Sequence, residues 1–144
     1  MTYKKGYTLI EILIVIALFL VLFSISFPST NFYKKMMERQ EISEFRKDLF
    51  YARNMAIIDN KSYYVNFTMI DNSYSVDIGM TKTIKKKAFG HGLKLNNAAE
   101  PFIFLPSGAS DNAGTIFINT DRGERYRVSL TPATSRIEII LEEM

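Results

Sequence analysis

The sequence predicts an α+β fold in which a long N-terminal helix, one half membrane-spanning and the other amphipathic, packs on an antiparallel β-sheet domain. Three observations predict it. Residues 7–27 form an apolar run that contains one charge, Glu11. Ile42, Phe45, Leu49, Ala52 and Ala56 then recur at spacings of three and four, the signature of one buried helix face. Beyond Asp59-Asn60-Lys61 the period changes to two, and β-branched and aromatic residues alternate with polar ones.

The apolar run comes first. Its 21 residues, taken as a helix rising about 1.5 Å per residue, reach about 31 Å, roughly the hydrocarbon thickness of a bilayer. Lys4 and Lys5 ahead of it are the cationic flank that stays in the cytoplasm, which puts the rest of the chain outside it. A cleaved secretory signal shares this layout, with Ser24-Ile25-Ser26 as a small-x-small site, but Glu11 lies inside the apolar stretch and Pro28 crowds that cut. A plain single-pass anchor explains length and flank and leaves Glu11 without a job. A carboxylate in such a segment costs about 2.5–3.5 kcal/mol near the bilayer centre, so it needs a partner.

Pro28 closes the apolar run. Proline removes one helix hydrogen bond and clashes with the carbonyl four residues back, so it either ends the first helix or kinks a longer one. Helical pattern resumes directly after it, which favours the kink. The stripe from Ile42 to Ala56 follows, with Glu41, Glu44, Lys47 and Asp48 read as lying off it. Ala52 and Ala56 are small enough for a sheet to approach closely.

Strands are expected at residues 63–68 and 73–78 around an Asp71-Asn72 turn, then at 102–105, 114–118, 125–130 and 136–140, as an antiparallel meander. One helix stripe on such a sheet is the minimal two-layer α+β arrangement. Residues 80–100 carry no recognisable pattern. The expected organisation is therefore a leader at 1–6, a transmembrane helix at 7–27, its amphipathic continuation at 28–60 and a β-sheet domain at 61–144.

Charge and composition exclude several classes. The net charge of +3 falls by the two charges of Lys4 and Lys5 to +1 when the leader is removed, which is no nucleic-acid footprint. Without cysteine there is neither a disulfide framework nor a thiolate metal site. His91 stands alone between Gly90 and Gly92 and reads as a turn residue, since one histidine builds no transition-metal site. Lys82 and Lys85-Lys86-Lys87 read as the guard of a solvated strand edge rather than as a phosphate or lipid site. Asp111 and Asn112 offer oxygens to calcium, but one carboxylate is too few. No nucleophile, base and orienting acid stand at a useful spacing, so no catalytic residue, cofactor or metal is expected.

The string Gly6-Tyr7-Thr8-Leu9-Ile10-Glu11 makes Glu11 intelligible, because here the chain resembles the type IV pilin and type II secretion pseudopilin family. The resemblance implies that prepilin peptidase cuts between Gly6 and Tyr7 and that Tyr7, in place of the commoner phenylalanine, is then N-methylated. It also implies that Glu11 meets the Tyr7 amine of a neighbouring subunit and sets the stagger between helices. A buried charge left unpaired is strongly unfavourable, so such a pair fixes register more than it adds net stability. A proline at the place of Pro28 is likewise frequent in the family.

The string from Phe102 to Gly108, a loop, Gly114-Thr115-Ile116 and two final strands look like the minor pseudopilins of the GspH and FimT group. The resemblance implies a pilin-like fold and a non-enzymatic structural subunit. It is held in the cytoplasmic membrane with its globular domain outside, and then joins a pilus or pseudopilus through the N-terminal helix with other pilin or pseudopilin subunits as partners. Some relatives bind DNA through a basic segment in the last hairpin. Here Glu138 stands where a second basic residue would, although Arg122, Arg125, Arg127 and Arg136 remain to form a basic face. The alternatives are thus a DNA-binding minor pilin for competence, or a membrane-anchored binding module that never polymerises.

Overall fold

The computed structural model describes residues 6–26, 30–79, 81–97, 100–132 and 134–143. Pro28, the expected kink, and Lys4 and Lys5 lie outside the described residues. The chain divides into two compact units, Met1–Lys35 and Met36–Met144.

In the first unit α1 runs over Leu9–Ser26. Every residue from 6 to 24 is exposed, and the apolar side chains from Leu9 to Phe23 face outward on all sides of the helix. Among the described residues no helix is long and apolar enough to cross a membrane. The 18 residues of α1 make about 27 Å of helix, a little short of a hydrocarbon core of about 30 Å.

The helix α2 spans Thr30–Asp59, and its residues from Met36 onward belong to the second unit. All five residues of the expected stripe are buried, with Phe45, Leu49, Ala52 and Ala56 fully so. The helix ends in a Schellman-type turn: Asn60 takes a left-handed conformation (φ 52°) and the Lys61 N–H donates to the Ala56 carbonyl at 3.3 Å. This is why the helical period stops at Asp59-Asn60-Lys61.

The strands are β1 (Tyr63–Thr68), β2 (Ser73–Ile78), β3 (Lys82–Ala88), β4 (Lys94–Leu95), β5 (Phe102–Phe104), β6 (Gly114–Asn119), β7 (Glu124–Thr131) and β8 (Arg136–Glu143). They are antiparallel throughout but form two four-stranded sheets, β3-β2-β1-β5 and β4-β6-β7-β8, rather than one continuous meander. The chain leaves β2 through β3, contributes the short β4 to the second sheet, returns as β5 to the other side of β1, and then completes the second sheet with β6, β7 and β8. Gly114 at the start of β6 has a steric reason to be glycine, because a Cβ there would lie 2.6 Å from a ring carbon of buried Phe102.

One core joins the stripe of α2 to both sheets. Phe45 is its centre on the first sheet, meeting Phe67, Tyr74 and Phe89 edge-on or nearly so at centroid separations of 6.2, 4.8 and 5.4 Å. Ile116, Ile118 and Val128 supply fully buried side chains from the second sheet.

Candidate functional site

The start of α1 gathers the sequence-predicted residues. Thr8 caps the helix: the Glu11 N–H donates to Thr8 Oγ1 at 3.3 Å and to the Thr8 carbonyl at 3.1 Å, and the Ile12 N–H reaches the same carbonyl at 3.3 Å. Glu11 therefore occupies the third helical position of a Thr-x-x-Glu capping sequence, in the first turn, where a carboxylate meets the positive end of the helix dipole. The signal was present in Thr8-Leu9-Ile10-Glu11 and the sequence reading did not use it. Residues 6–8 lie outside any helix, and the space where a Gly6 side chain would stand is open to 4 Å. Tyr7 is exposed as well. The Gly6-Tyr7 peptide bond thus lies in an exposed, non-helical stretch, and Tyr7 stands four residues before Glu11.

The remaining candidates resolve into structural roles. Lys82, Lys85, Lys86 and Lys87 lie on β3, an edge strand of the first sheet, as expected of edge guards. Three of them have acidic partners: Lys85 meets Asp48, Lys86 meets Asp71 at 3.0 Å and Lys87 meets Glu44 at 2.8 Å. Glu44 is held below the usual carboxylate range by its Lys87 hydrogen bond, and Lys87 is raised by the same contact. His91 has a left-handed backbone (φ 48°) in a turn beside Gly92. Asn112 is used internally, its amide donating to the Pro101 carbonyl at 2.7 Å.

The four arginines do not make a free basic face. Arg125 and Arg127 both reach Glu142, at 3.0 and 2.6 Å, and Arg125 also stacks over Phe117. Arg122 binds Glu38 and Glu124 at 2.6 and 2.7 Å, and Arg136 lies 3.7 Å from Glu138. The Arg125 hydrogen bond, aided by that of Arg127, holds the Glu142 carboxyl below its usual range.

Three residues organise the second unit in ways that the sequence pattern does not announce. Asp48, read as lying off the stripe, is buried: it accepts from the Tyr74 hydroxyl at 2.6 Å and from Lys85. Burial first, and the bond to Asp48 second, push the Tyr74 hydroxyl far up. Tyr63 is pushed up to about 12 by burial and by its bond to Asp59. Glu38, 1% exposed, is held by Arg122. Asn72, left-handed at φ 46°, donates to the carbonyls of Phe89 and Leu93 and accepts from the Leu95 N–H, so one side chain ties residues 89–95 to the β1–β2 turn. An asparagine in a tight turn was the one available hint.

A capped apolar helix bearing one early glutamate, and a helix stripe packed on antiparallel sheets, give this chain an α+β, pilin-like fold. The family model for the prokaryotic N-terminal methylation motif matches residues 1–27. The fold is similar to that of the minor pseudopilin EpsH from the type 2 secretion system of Vibrio cholerae, at a TM-score of 0.56 and 15% identity over 74% of this chain and 94% of that one. It is equally similar to the type IV minor pilin FimU of Pseudomonas aeruginosa (strain PAO1), at a TM-score of 0.56 and 17% identity over 71% of this chain and 91% of that one. No curated protein matches the chain.

Proposed function

We propose that the chain is a minor pilin or pseudopilin, a structural subunit with no catalytic role. Prepilin peptidase cuts it after Gly6, Tyr7 becomes the methylated N-terminus, and residues 7–27 hold it in the cytoplasmic membrane with the β-sheet domain outside. It then enters a pilus or pseudopilus through the N-terminal helix. The observation that carries this reading is α1 itself: its apolar side chains are exposed on every side, with a capped glutamate at its start. A helix apolar all round is stable only when lipid or other apolar helices cover it. A carboxylate at its head, placed in that cover, needs a cation, and the Tyr7 amine of a neighbour supplies one.

Mass spectrometry of the chain from membranes of cells with an active prepilin peptidase tests the processing step. The expected product starts at a methylated Tyr7, and Gly6→Leu should insert normally but accumulate uncut. A wild-type chain that keeps Met1 there would sink the proposal. Glu11→Ala should leave membrane levels unchanged, because the segment becomes more apolar, and should reduce the amount recovered with sheared filaments. Equal recovery of the two chains would show that the carboxylate has no part in assembly, and absence of the processed wild-type chain from filaments would favour a non-polymerising anchored module. The DNA-binding alternative gains nothing from the arginines, since Arg122, Arg125 and Arg127 are already engaged by carboxylates.

A further inference from the structure

The second sheet ends in a long strand with an open side. Over its eight residues β8 pairs with β7 and, among the described residues, with no strand beyond. The other sheet edges are blunted: β3 carries four lysines, and β4 and β5 are two and three residues long. The acids of β8 are engaged on the outer face of its own sheet, Glu142 by Arg125 and Arg127 and Glu138 beside Arg136. What remains along the open side is a row of backbone N–H and C=O groups that another strand can pair with.

The same strand forms one wall of a socket of about 320 Å³, and α2 forms the other. Ile139 and Leu141 of β8, with Ile42 and Tyr126, give it an apolar lining, and Arg39 and Arg46 stand at it from α2. Among the described residues neither arginine forms an ion pair; Arg46 only leans over the Phe50 ring at 5.7 Å. The four arginines of the C-terminal strands and their turn each have a carboxylate. Two helical turns separate Arg39 from Arg46, about 10 Å along the axis, a spacing for two acids rather than one.

We propose that an extended segment of a different subunit of the same fibre adds to β8 as a further strand, with an apolar side chain in the socket and acidic side chains for Arg39 and Arg46 on either side of it. Alternate residues of a strand share a face, so the segment reads acid-x-apolar-x-acid, and its two acids lie about 13 Å apart, a span that two long arginine side chains can meet. Main-chain bonds to the edge supply affinity, and the socket and its guanidinium groups supply selectivity. A lipid has no backbone to pair with β8. The chain's own β8 has the required order in Glu138, Ile140 and Glu142, but these lie on the outer face, where Arg125 and Arg127 hold Glu142, so a second copy is not the occupant. The inference rests on the proposed fibre role, which supplies unlike subunits as neighbours, and gives the β-sheet domain a contact of its own.

The test uses the full chain in cells that assemble the fibre, with the photo-crosslinking residue p-benzoylphenylalanine in place of Leu141. Irradiation should give an adduct with a protein of different sequence, and sequencing the adduct should place the link in a segment of acid-x-apolar-x-acid order. Arg39→Glu with Arg46→Glu, both at exposed positions, should lower the yield about tenfold or more, the loss expected when a charge-assisted hydrogen bond is removed. Changing the two acids of the sequenced segment to arginine should restore it, which a misfolded chain would not allow. A yield no higher than from the same probe at Ile84, an equally exposed position on β3, overturns the proposal. So does an adduct with a second copy or with lipid alone, a link to a segment without that order, a yield indifferent to the arginine changes, or a failed rescue. The mass of the same material reports cleavage after Gly6: a processed chain in sheared filaments without the adduct refutes this contact and leaves the fibre role standing, and the adduct from an unprocessed chain outside filaments does the reverse.

Discussion

Two helical stretches of this chain are rich in large apolar residues and meet opposite fates. In α1 the apolar residues cover the whole circumference and are exposed; in residues 36–59 of α2 one stripe of them is buried under two sheets, and Met36, Phe50, Ile57 and Ile58 lie exposed off it among polar residues. Hydrophobic content alone therefore does not decide what a helix does. A stripe can be satisfied within one chain, because the opposite face stays polar and wet. A helix apolar all round needs a medium or a bundle.

The largest test of this contrast is truncation on each side of it. Phe45→Ala should cost about 3–5 kcal/mol, as for other fully buried phenylalanines, because Phe67, Tyr74 and Phe89 cannot close the space together. Leu18→Ala in α1, where the side chain is exposed, should change the stability of the second unit by less than about 0.5 kcal/mol. Urea unfolding in detergent, followed by near-ultraviolet tyrosine circular dichroism, measures both. A comparable loss from Leu18→Ala would break the comparison.

A smaller effect sharpens it on the polar side of α2. Glu38→Ala leaves the Arg122 guanidinium with Glu124 alone and should cost about 1–3 kcal/mol, the usual penalty for a buried polar partner removed. Arg39→Ala, one residue along and exposed, should be nearly silent in the same unfolding assay.

The smallest expected effect is with pH. Glu44 and Glu142 both lie below the usual 4.5 in the folded chain, each chiefly through a hydrogen bond to a cationic side chain. A depressed carboxyl favours the folded state above its unfolded value, so their contribution is complete above about pH 4.5 and is lost as pH falls through the folded-state values below it. Thermal unfolding should show a modest decline in that window, reduced in Glu142→Gln. A decline that starts above pH 6 would have to come from other groups.

Much of this was legible in the residues. The five positions of the α2 stripe are all buried, and the strands expected at 63–68 and 73–78 match β1 and β2. The roles expected of Gly6, Tyr7 and Glu11 rest on the family resemblance, while the cap at Thr8 has its own local signal in the Thr-x-x-Glu order of residues 8–11. Residues 80–100 carry no such signal. There β3 is mostly lysine and β4 is two residues long, and the stretch from 89 to 95 is held by the side chain of Asn72 from another turn.

The sequence by itself determined the periodicities: the continuous apolarity of α1, the period of α2 and the alternation of the strands. These follow from local geometry, in which side-chain direction repeats every 3.6 or every 2 residues. Only the tertiary structure decided that the strands divide into two sheets, that β5 returns to β1, and that Asp48 and Glu38 are buried rather than wet. The physical reason is distance along the chain. Glu38 is buried because Arg122 reaches it from 84 residues away, and Asp48 because Tyr74, 26 residues on, and Lys85, 37 on, do the same. A carboxylate with no such partner would have stayed in water, and no local pattern announces that one is coming.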